Sequence, residues 1–143
     1  MRLVSVFAAL MSFSGLLLAQ AGWKTVQDKT GACQVSVPPT WTVLSEPGAV
    51  NSPERTTTMV ISGMTPFKKF REDTLKMLNT DQVYENSETR LFYVTKPGGT
   101  PPLVSYHVET AGKGNRCVAQ ITLSPHSRED EAKKIALSLS ATK

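Results

Sequence analysis

The chain has 143 residues, of which 40% are hydrophobic and 20% are charged, and its formal net charge is +4. A chain of this length holds one domain with one modest core rather than several domains. Its basic and acidic residues are interspersed, which argues against nucleic acid as a partner, because nucleic-acid-binding proteins concentrate basic residues on one face.

The first 21 residues are typical of a cleavable export signal. Arg2 precedes an apolar run from Leu3 to Leu18, and Ala19-Gln20-Ala21 is a small-x-small site for signal peptidase. A transmembrane anchor is the weaker alternative, because a spanning helix needs roughly 20 strongly apolar residues and a basic stop-transfer cluster after them. We predict a signal peptide over 1–21, a single domain over 22–143 without a membrane span, and a periplasmic or secreted location in a bacterium.

The first half of this domain has the pattern of short strands separated by turns. The predicted strands are WKTV, ACQVSV, WTVLS and RTTTMVIS. The second of them stops at Pro38-Pro39, because proline has no N–H to give to a sheet. Trp41 begins the next strand, and we expect it to be a buried core or corner anchor. The segment from Glu46 to Glu54 is rich in turn-forming residues and predicts a surface loop.

The first predicted helix runs from Pro66 to about Asn79, with Thr65 as its cap. Its apolar face carries residues at helical spacing: Phe67, Phe70, Thr74, Met77 and Leu78. Lys68 and Lys69 lie in the first turn, where positive charge opposes the helix dipole, and Arg71 falls inside the apolar arc. These three cations form either a solvated helix face, which is the ordinary case, or a small basic patch that binds an acidic partner.

The second half of the domain continues with strands and closes with a helix. The predicted strands are TRLFYVT, LVSYHVE and RCVAQITLS, and the turn AGKGN joins the last two in an antiparallel hairpin. A loop separates the first two, from Lys96 to Pro102. Ser127 is the predicted cap of the final helix, with Asp130 at capping-box distance. The apolar stripe of this helix is Ala132, Ile135, Ala136 and Leu139.

Strands joined by short turns, with two helices far apart in the sequence, predict an α+β fold in which both helices pack on an antiparallel sheet of roughly five to seven strands. This pattern resembles PsbP-like domains, the superfamily of the extrinsic photosystem II proteins. The matching residues are Val35, Val37, Pro38, Pro39 and Trp41 at the front, and Cys117 to Ile121, Ile135, Ala136, Ser138 and Leu139 at the back. The resemblance implies a sheet–helix sandwich with a binding or assembly role, and it brings no catalytic residue.

Both cysteines of the chain, Cys33 and Cys117, fall in the predicted exported domain. Each is in phase with the apolar residues of a predicted strand. An even number of cysteines in an oxidising compartment predicts one disulfide between them. The alternative is two separate buried thiols that behave as small apolar side chains.

The sequence offers little for catalysis. Its two histidines, His107 and His126, do not stand at metal-ligand spacing, and there is no C-x-x-C motif. His107 is in opposite phase to Tyr106 and Val108, so we expect a surface or sheet-packing histidine, and we expect His126 to be solvated. Neither a G-x-S-x-G elbow nor a phosphate-binding P-loop is present. We therefore predict no catalytic, cofactor-binding or metal-binding residue, and no cofactor.

These features favour a non-enzymatic, exported, monomeric domain that binds a protein or an envelope component. The alternative is a small-molecule carrier or weak hydrolase with a pocket between the sheet and the first helix. The aromatic residues available to line such a pocket are Tyr84, Phe92, Tyr93 and Tyr106. Aromatic residues of this kind more often pack in a core, so a filled sheet–helix interface would favour the first hypothesis and an apolar pocket the second.

Overall fold

The computed structural model of the protein describes residues 22–78, 82–96, 100, 103–124 and 128–142, and the predicted signal peptide lies outside the described residues. Within them the chain forms ten strands: β1 (Lys24–Gln27), β2 (Cys33–Val37), β3 (Thr42–Val43), β4 (Ala49–Asn51), β5 (Thr57–Gly63), β6 (Gln82–Asn86), β7 (Arg90–Thr95), β8 (Val104–Ala111), β9 (Arg116–Leu123) and β10 (Ser140–Ala141). It also forms two helices, α1 (Phe67–Met77) and α2 (Glu129–Leu137). Neither helix is long and apolar enough to cross a membrane.

The strands form two antiparallel sheets. The large sheet has seven strands in the order β3-β4-β5-β9-β8-β7-β6, and the small sheet has three in the order β1-β2-β10. The predicted hairpin is present, because β8 pairs with β9 and Ala111 lies opposite Arg116 beside the turn. The α+β class, the antiparallel sheet and the two helices are confirmed. The small sheet is an addition to the predicted architecture.

One face of the large sheet is covered by the small sheet and α2, and we call it the sealed face. Strand alternation selects the residues that point inward: on β9, Cys117, Ala119 and Ile121 are buried in the core between them. The largest fully buried side chains of this core are Val35, Val37, Val50, Val60, Val94, Tyr106, Val108, Ile121, Ile135 and Leu139. The main hydrophobic core therefore lies on the sealed side of the large sheet.

A disulfide joins the two sheets. Cys33 in β2 is bonded to Cys117 in β9, with 5.5 Å between their Cα atoms, and both side chains are fully buried. The predicted bridge is confirmed within this structure, and it closes a loop with a sequence separation of 84 residues. The covalent link holds the small sheet against the large one.

Trp41 has the core position predicted for it. β2 ends at Val37, immediately before the two prolines, and the Trp41 N–H donates to the Pro38 carbonyl across the turn. The Trp41 side chain is buried in the main core, and its Nε1 donates a hydrogen bond of 3.1 Å to Oε1 of Glu131 in α2. The indole therefore fixes the first turn of α2 as well as filling the core.

α2 has the predicted apolar stripe. Ala132, Ile135 and Ala136 are buried within the helix, and Leu139 is buried just beyond its end. Three acids occupy the first turn, where they interact favourably with the helix dipole. The predicted cap, Ser127, lies outside the described residues, and the N-cap position of α2 is held by Arg128 without a side-chain hydrogen bond.

α1 lies on the other face of the large sheet and differs from its prediction at both ends. It runs from Phe67 to Met77, and Pro66 occupies the N-cap position in an extended conformation, so the predicted cap at Thr65 is wrong. Phe67 and Thr74 are buried as expected. Met77 is 74% exposed, because it stands at the edge of the apolar arc rather than in its middle.

Three strands were not predicted. β4 lies within the segment from Glu46 to Glu54, so the prediction of a loop there is wrong in part. Ala49 and Val50 of this strand are buried. Gly48 precedes this strand with φ +84°, and a Cβ there would lie 2.4 Å from the Val60 carbonyl oxygen, so only glycine fits. β6 is an exposed edge strand and β10 has two residues, and neither shows the alternation of a half-buried strand.

Candidate functional site

The face of the large sheet opposite the sealed face is only partly covered, because α1 lies over β7, β8 and one end of β9. On the uncovered part, Met59 pairs with Gln120, and Ile61 pairs with Val118, across β5 and β9. On the other side of β9, Gln120 also pairs with His107 in β8. We call these five residues the open face. Met59 is 40% exposed and Ile61 is 53% exposed, so two large apolar side chains lie in water at its centre.

A row of hydroxyl residues borders the open face. Thr57, Thr122 and Ser105 pair directly across β5, β9 and β8, and Thr95 in β7 continues the row. The Ser105 and Thr122 hydroxyls are 3.2 Å apart and share a hydrogen bond. The open face therefore combines an apolar centre with a polar margin, as protein-binding surfaces commonly do.

His107 packs on the sheet rather than standing free. Its Nε2 is 2.9 Å from the Thr95 hydroxyl, and its ring stacks on Tyr93 with the ring centroids 4.8 Å apart. Burial lowers the pKa of His107 and so favours the neutral imidazole. The expectation of a surface or sheet-packing histidine agrees with this geometry, and His126 lies outside the described residues.

A charged pair is buried between α1 and the sheet. Glu109 Oε2 is 3.7 Å from Arg116 Nη1, and the Thr74 hydroxyl in α1 donates to Glu109 Oε1 at 3.5 Å. The Arg116 guanidinium also lies over the Phe70 ring. Burial raises the pKa of Glu109, and Arg116 opposes that rise. Burial and the nearby Glu109 carboxylate raise the pKa of Tyr93 to about 12.

Sequence reasoning missed this pair. Glu109 and Arg116 flank the predicted hairpin turn, and counting in twos along both strands puts them on the same face as His107. This strand alternation was the feature of the sequence that could have revealed the pair. It carried no weight by itself, because a charged residue at the end of a strand is usually solvated.

Replacing Arg116 with methionine is expected to lower the free energy of unfolding by about 2 kcal/mol at pH 7. That is less than the roughly 3–5 kcal/mol for breaking a fully buried pair, because Arg116 keeps part of its side chain in water. The loss should shrink as the pH falls through the raised folded-state pKa of Glu109 towards its ordinary value of 4.5, because a protonated carboxyl no longer needs the guanidinium. Urea unfolding at pH 4 and pH 7 measures both values.

The matched control for this experiment is the double variant Glu109→Gln, Arg116→Met. It removes both charges, so its stability should lie within about 1 kcal/mol of the wild type and should not change in the same way with pH. A loss in the single variant that is equal at both pH values would contradict a buried Glu109 carboxylate as its cause.

The structure separates the three residues of the predicted basic patch. Lys68 and Lys69 are exposed. The side chain of Arg71 is only 14% exposed, its Nη1 donates to the Ser87 carbonyl, and its Nη2 is 3.8 Å from a carboxylate oxygen of Glu88. Two lysines therefore remain available on the surface, and Arg71 helps to attach α1 to the β6–β7 turn. Binding by this patch stays a prediction.

The four aromatic residues suggested for a pocket lie on two sides of the sheet. Phe92 and Tyr106 belong to the sealed-face core, and Tyr93 points to the α1 side because it follows Phe92 in the same strand. Tyr84 stacks on Phe92 with the ring centroids 4.9 Å apart. These residues cannot line one pocket beneath α1, so that assignment was wrong.

A shallow cleft of about 400 Å³ lies beside the first turn of α2 and is lined by Trp23, Arg128, Glu129, Asp130, Glu131 and Lys134. Two of its acids have structural partners: the Tyr106 hydroxyl donates to Glu129 at 3.1 Å, and Trp41 Nε1 donates to Glu131. Among the residues that the structure describes, no three His, Cys, Asp or Glu side chains are grouped to hold a metal ion. The cleft is therefore a weaker candidate than the open face.

Comparison with known proteins supplies a fold but no family. No protein-family model matches the chain, and no curated protein matches it in sequence. A crystal structure of a protein from Bacteroides thetaiotaomicron VPI-5482 is similar over 85% of this chain, with a TM-score of 0.63. The two sequences are 12% identical, and the match covers 49% of the Bacteroides chain, which is less than two thirds of its length. At this identity the similarity shows the fold alone.

Proposed function

We propose that this protein is an exported, non-enzymatic binding domain and that its partner, a protein or an envelope component, docks on the open face. The observation that carries the proposal is the exposure of Met59 and Ile61 on a sheet face whose opposite side is sealed. The uncovered face of an antiparallel sheet is ordinarily polar, because it stays in contact with water. Adjacent exposed apolar side chains on such a face support a binding site, because contiguous apolar patches mark interaction surfaces.

The width of the open face suits a macromolecular partner better than a small molecule. β5 and β9 are adjacent strands, roughly 5 Å apart, and their side chains present a flat surface rather than a cavity. The interface beneath α1 is filled by Phe67, Leu91 and Tyr93. A carrier or hydrolase with a pocket at that interface therefore has less support.

Export is part of the same proposal. Its support is the signal-like sequence of residues 1–21 together with the buried disulfide between Cys33 and Cys117, because disulfides persist in oxidising compartments. The location is proposed to be the periplasm or the outside of a bacterial cell. Membership of the PsbP-like superfamily is proposed on the residue pattern of β2, Trp41, β9 and α2, and it would agree with a binding role.

Replacing Ile61 with aspartate is expected to reduce partner capture at least about tenfold, because a charge at the apolar centre of a binding surface must be desolvated on docking. The purified domain is immobilised and incubated with the envelope fraction, and the retained proteins and envelope material are quantified. Because Ile61 points into water, the free energy of unfolding should change by no more than about 0.5 kcal/mol.

The matched control for Ile61 is Val43→Asp. Val43 is 52% exposed and lies in the same sheet, on edge strand β3, away from the open face. This variant should retain wild-type capture. Equal loss in both variants, or no loss in either, would place the binding surface elsewhere.

A further inference from the structure

α1 is attached to the domain by a small apolar contact. The residues buried at this contact are Phe67 of α1 and Leu91 and Tyr93 of the sheet, and the half-buried residues packed against them are Leu75, Leu78 and Ala111. In contrast, the core on the sealed face contains nineteen buried residues. Because hydrophobic stabilisation grows with the apolar area buried, the docking of α1 depends on a minor part of the total.

Polar atoms lie trapped at the same interface. Glu109 Oε2, Arg116 Nε and Arg71 Nε are buried and make no hydrogen bond among the described residues, and the 3.7 Å contact with Arg116 Nη1 is an ion pair that offsets only part of the cost of burying Glu109 Oε2. Each such atom destabilises the state that buries it, because water would satisfy the atom once it is exposed. The docked position of α1 therefore carries the cost of these buried polar atoms, whereas on the sealed face the corresponding atom among the described residues is Thr58 Oγ1.

The N-terminal end of α1 also weakens this helix. No side-chain hydrogen bond caps its N-terminus, and its first turn contains Lys68 and Lys69 but no acid. Positive charge at this end opposes the helix dipole. The opposite holds in α2, whose first turn contains three acids. Three weaknesses therefore coincide at α1: an unfavourable N-terminus, buried polar atoms without hydrogen-bond partners and a small apolar contact.

Beneath α1 the sheet continues the row of side chains that begins on the open face. Ile61 pairs with Val118, Val118 pairs with Glu109, and Glu109 pairs with Leu91, which makes one cross-strand row over β5, β9, β8 and β7. The first two residues of this row belong to the open face, and α1 covers the other two. Displacing α1 would lengthen the accessible row from two strands to four.

From these observations we propose that α1 is a displaceable cover. It undocks from the large sheet while both sheets and α2 stay folded, and in doing so it exposes an extension of the open face for the same partner. The undocking follows from the α1 interface alone. Only its role in partner access rests on the proposed function.

Two single-cysteine additions on β7 measure the undocking. Leu91→Cys places a thiol under α1, and Val94→Cys places one in the sealed-face core; both parent side chains are buried, at 0% and 2% exposure. Under native conditions we expect the thiol introduced at position 91 to react with a maleimide at least about tenfold faster than the thiol introduced at position 94, because local opening requires less free energy than global unfolding. Peptide mapping confirms that Cys33 and Cys117 remain bridged.

A pair of charge reversals at the two ends of α1 tests whether the stability of this helix controls the undocking. Lys68→Glu places an acid at the N-terminal end and should slow labelling at position 91 by about two- to fivefold, and Lys76→Glu should accelerate it by a similar factor. Neither change should alter labelling at position 94. Equal labelling rates at positions 91 and 94 would mean that α1 is lost only in global unfolding, and the cover would be rejected.

Capture from the envelope fraction then tests two hypotheses independently: that α1 controls access, and that the open face binds the partner. If the cover controls access, Lys76→Glu raises the amount retained and Lys68→Glu lowers it, with Ile61→Asp abolishing retention in either background. If labelling responds as expected but retention does not, the control of access is rejected and the open face stands as the binding surface. If Ile61→Asp has no effect on retention, the proposed function fails while the labelling result for α1 remains valid.

Discussion

Replacing both Cys33 and Cys117 with alanine is expected to lower the free energy of unfolding by about 4 kcal/mol. The disulfide closes a loop with a sequence separation of 84 residues, so its loss restores considerable chain entropy to the unfolded state. The bridge is also the covalent link between β2 of the small sheet and β9 of the large sheet. Because a domain of this size is stabilised by only about 5–15 kcal/mol in total, the variant should be marginally folded.

Denaturant unfolding of the oxidised wild type and the double alanine variant measures this loss directly. The wild-type protein treated with reductant under the same conditions is the matched control, since it loses the bond but keeps both sulfur atoms. Its free energy of unfolding should fall by nearly as much as that of the double variant. Wild-type stability in either sample, or two reactive thiols in the denatured and unreduced protein, would contradict a stabilising bridge.

Replacing Trp41 with alanine is expected to lower the free energy of unfolding by about 3–5 kcal/mol, as for other buried large aromatic residues. The change leaves a cavity in the main core and removes the hydrogen bond to Glu131 in α2. Thermal and urea unfolding measure the effect. Binding to the envelope fraction should fail only in proportion to the unfolded population, because Trp41 lies on the sealed side of the sheet.

Two further variants divide the contribution of Trp41 into packing and hydrogen bonding. Trp41→Phe keeps most of the apolar volume and loses the donor to Glu131, so it should cost about 1–2 kcal/mol. Glu131→Gln keeps an acceptor for the indole N–H and should be nearly neutral. A stable Trp41→Ala variant that had lost only partner binding would show instead that the indole is a recognition residue.

The elements with clear periodicity were predictable from the sequence, and β4, β6 and β10 were not. In β2, the alternation of Cys33, Val35 and Val37 and the two following prolines give both the buried face and the end of the strand. The stripe of α2 is equally clear. β6 is an edge strand whose side chains are mostly in water, and β4 and β10 have three and two residues, so no periodic pattern can develop in them.

The candidate site could not be predicted, because it depends on which face of the large sheet is covered. In β5, Val60 lies on one face and Met59 and Ile61 lie on the other, and either face has the composition of a core. The small sheet and α2 cover the face that contains Val60, through contacts between residues that are far apart in the sequence. The Glu109–Arg116 pair was missed for a related reason: α1 buries it, and the position of α1 across the sheet is a tertiary feature.

The small sheet places an element from near the start of the described chain beside one from near its end. β10 pairs with β2 through Ser140 and Gln34, and the disulfide holds the same strand against β9. Contacts of such high sequence separation slow folding, because the long loop between the partners must be closed before they form. We therefore expect the core to remain open until the last strand has been synthesised. On the export route proposed above, such late folding would keep the chain in the unfolded form that a translocation channel accepts.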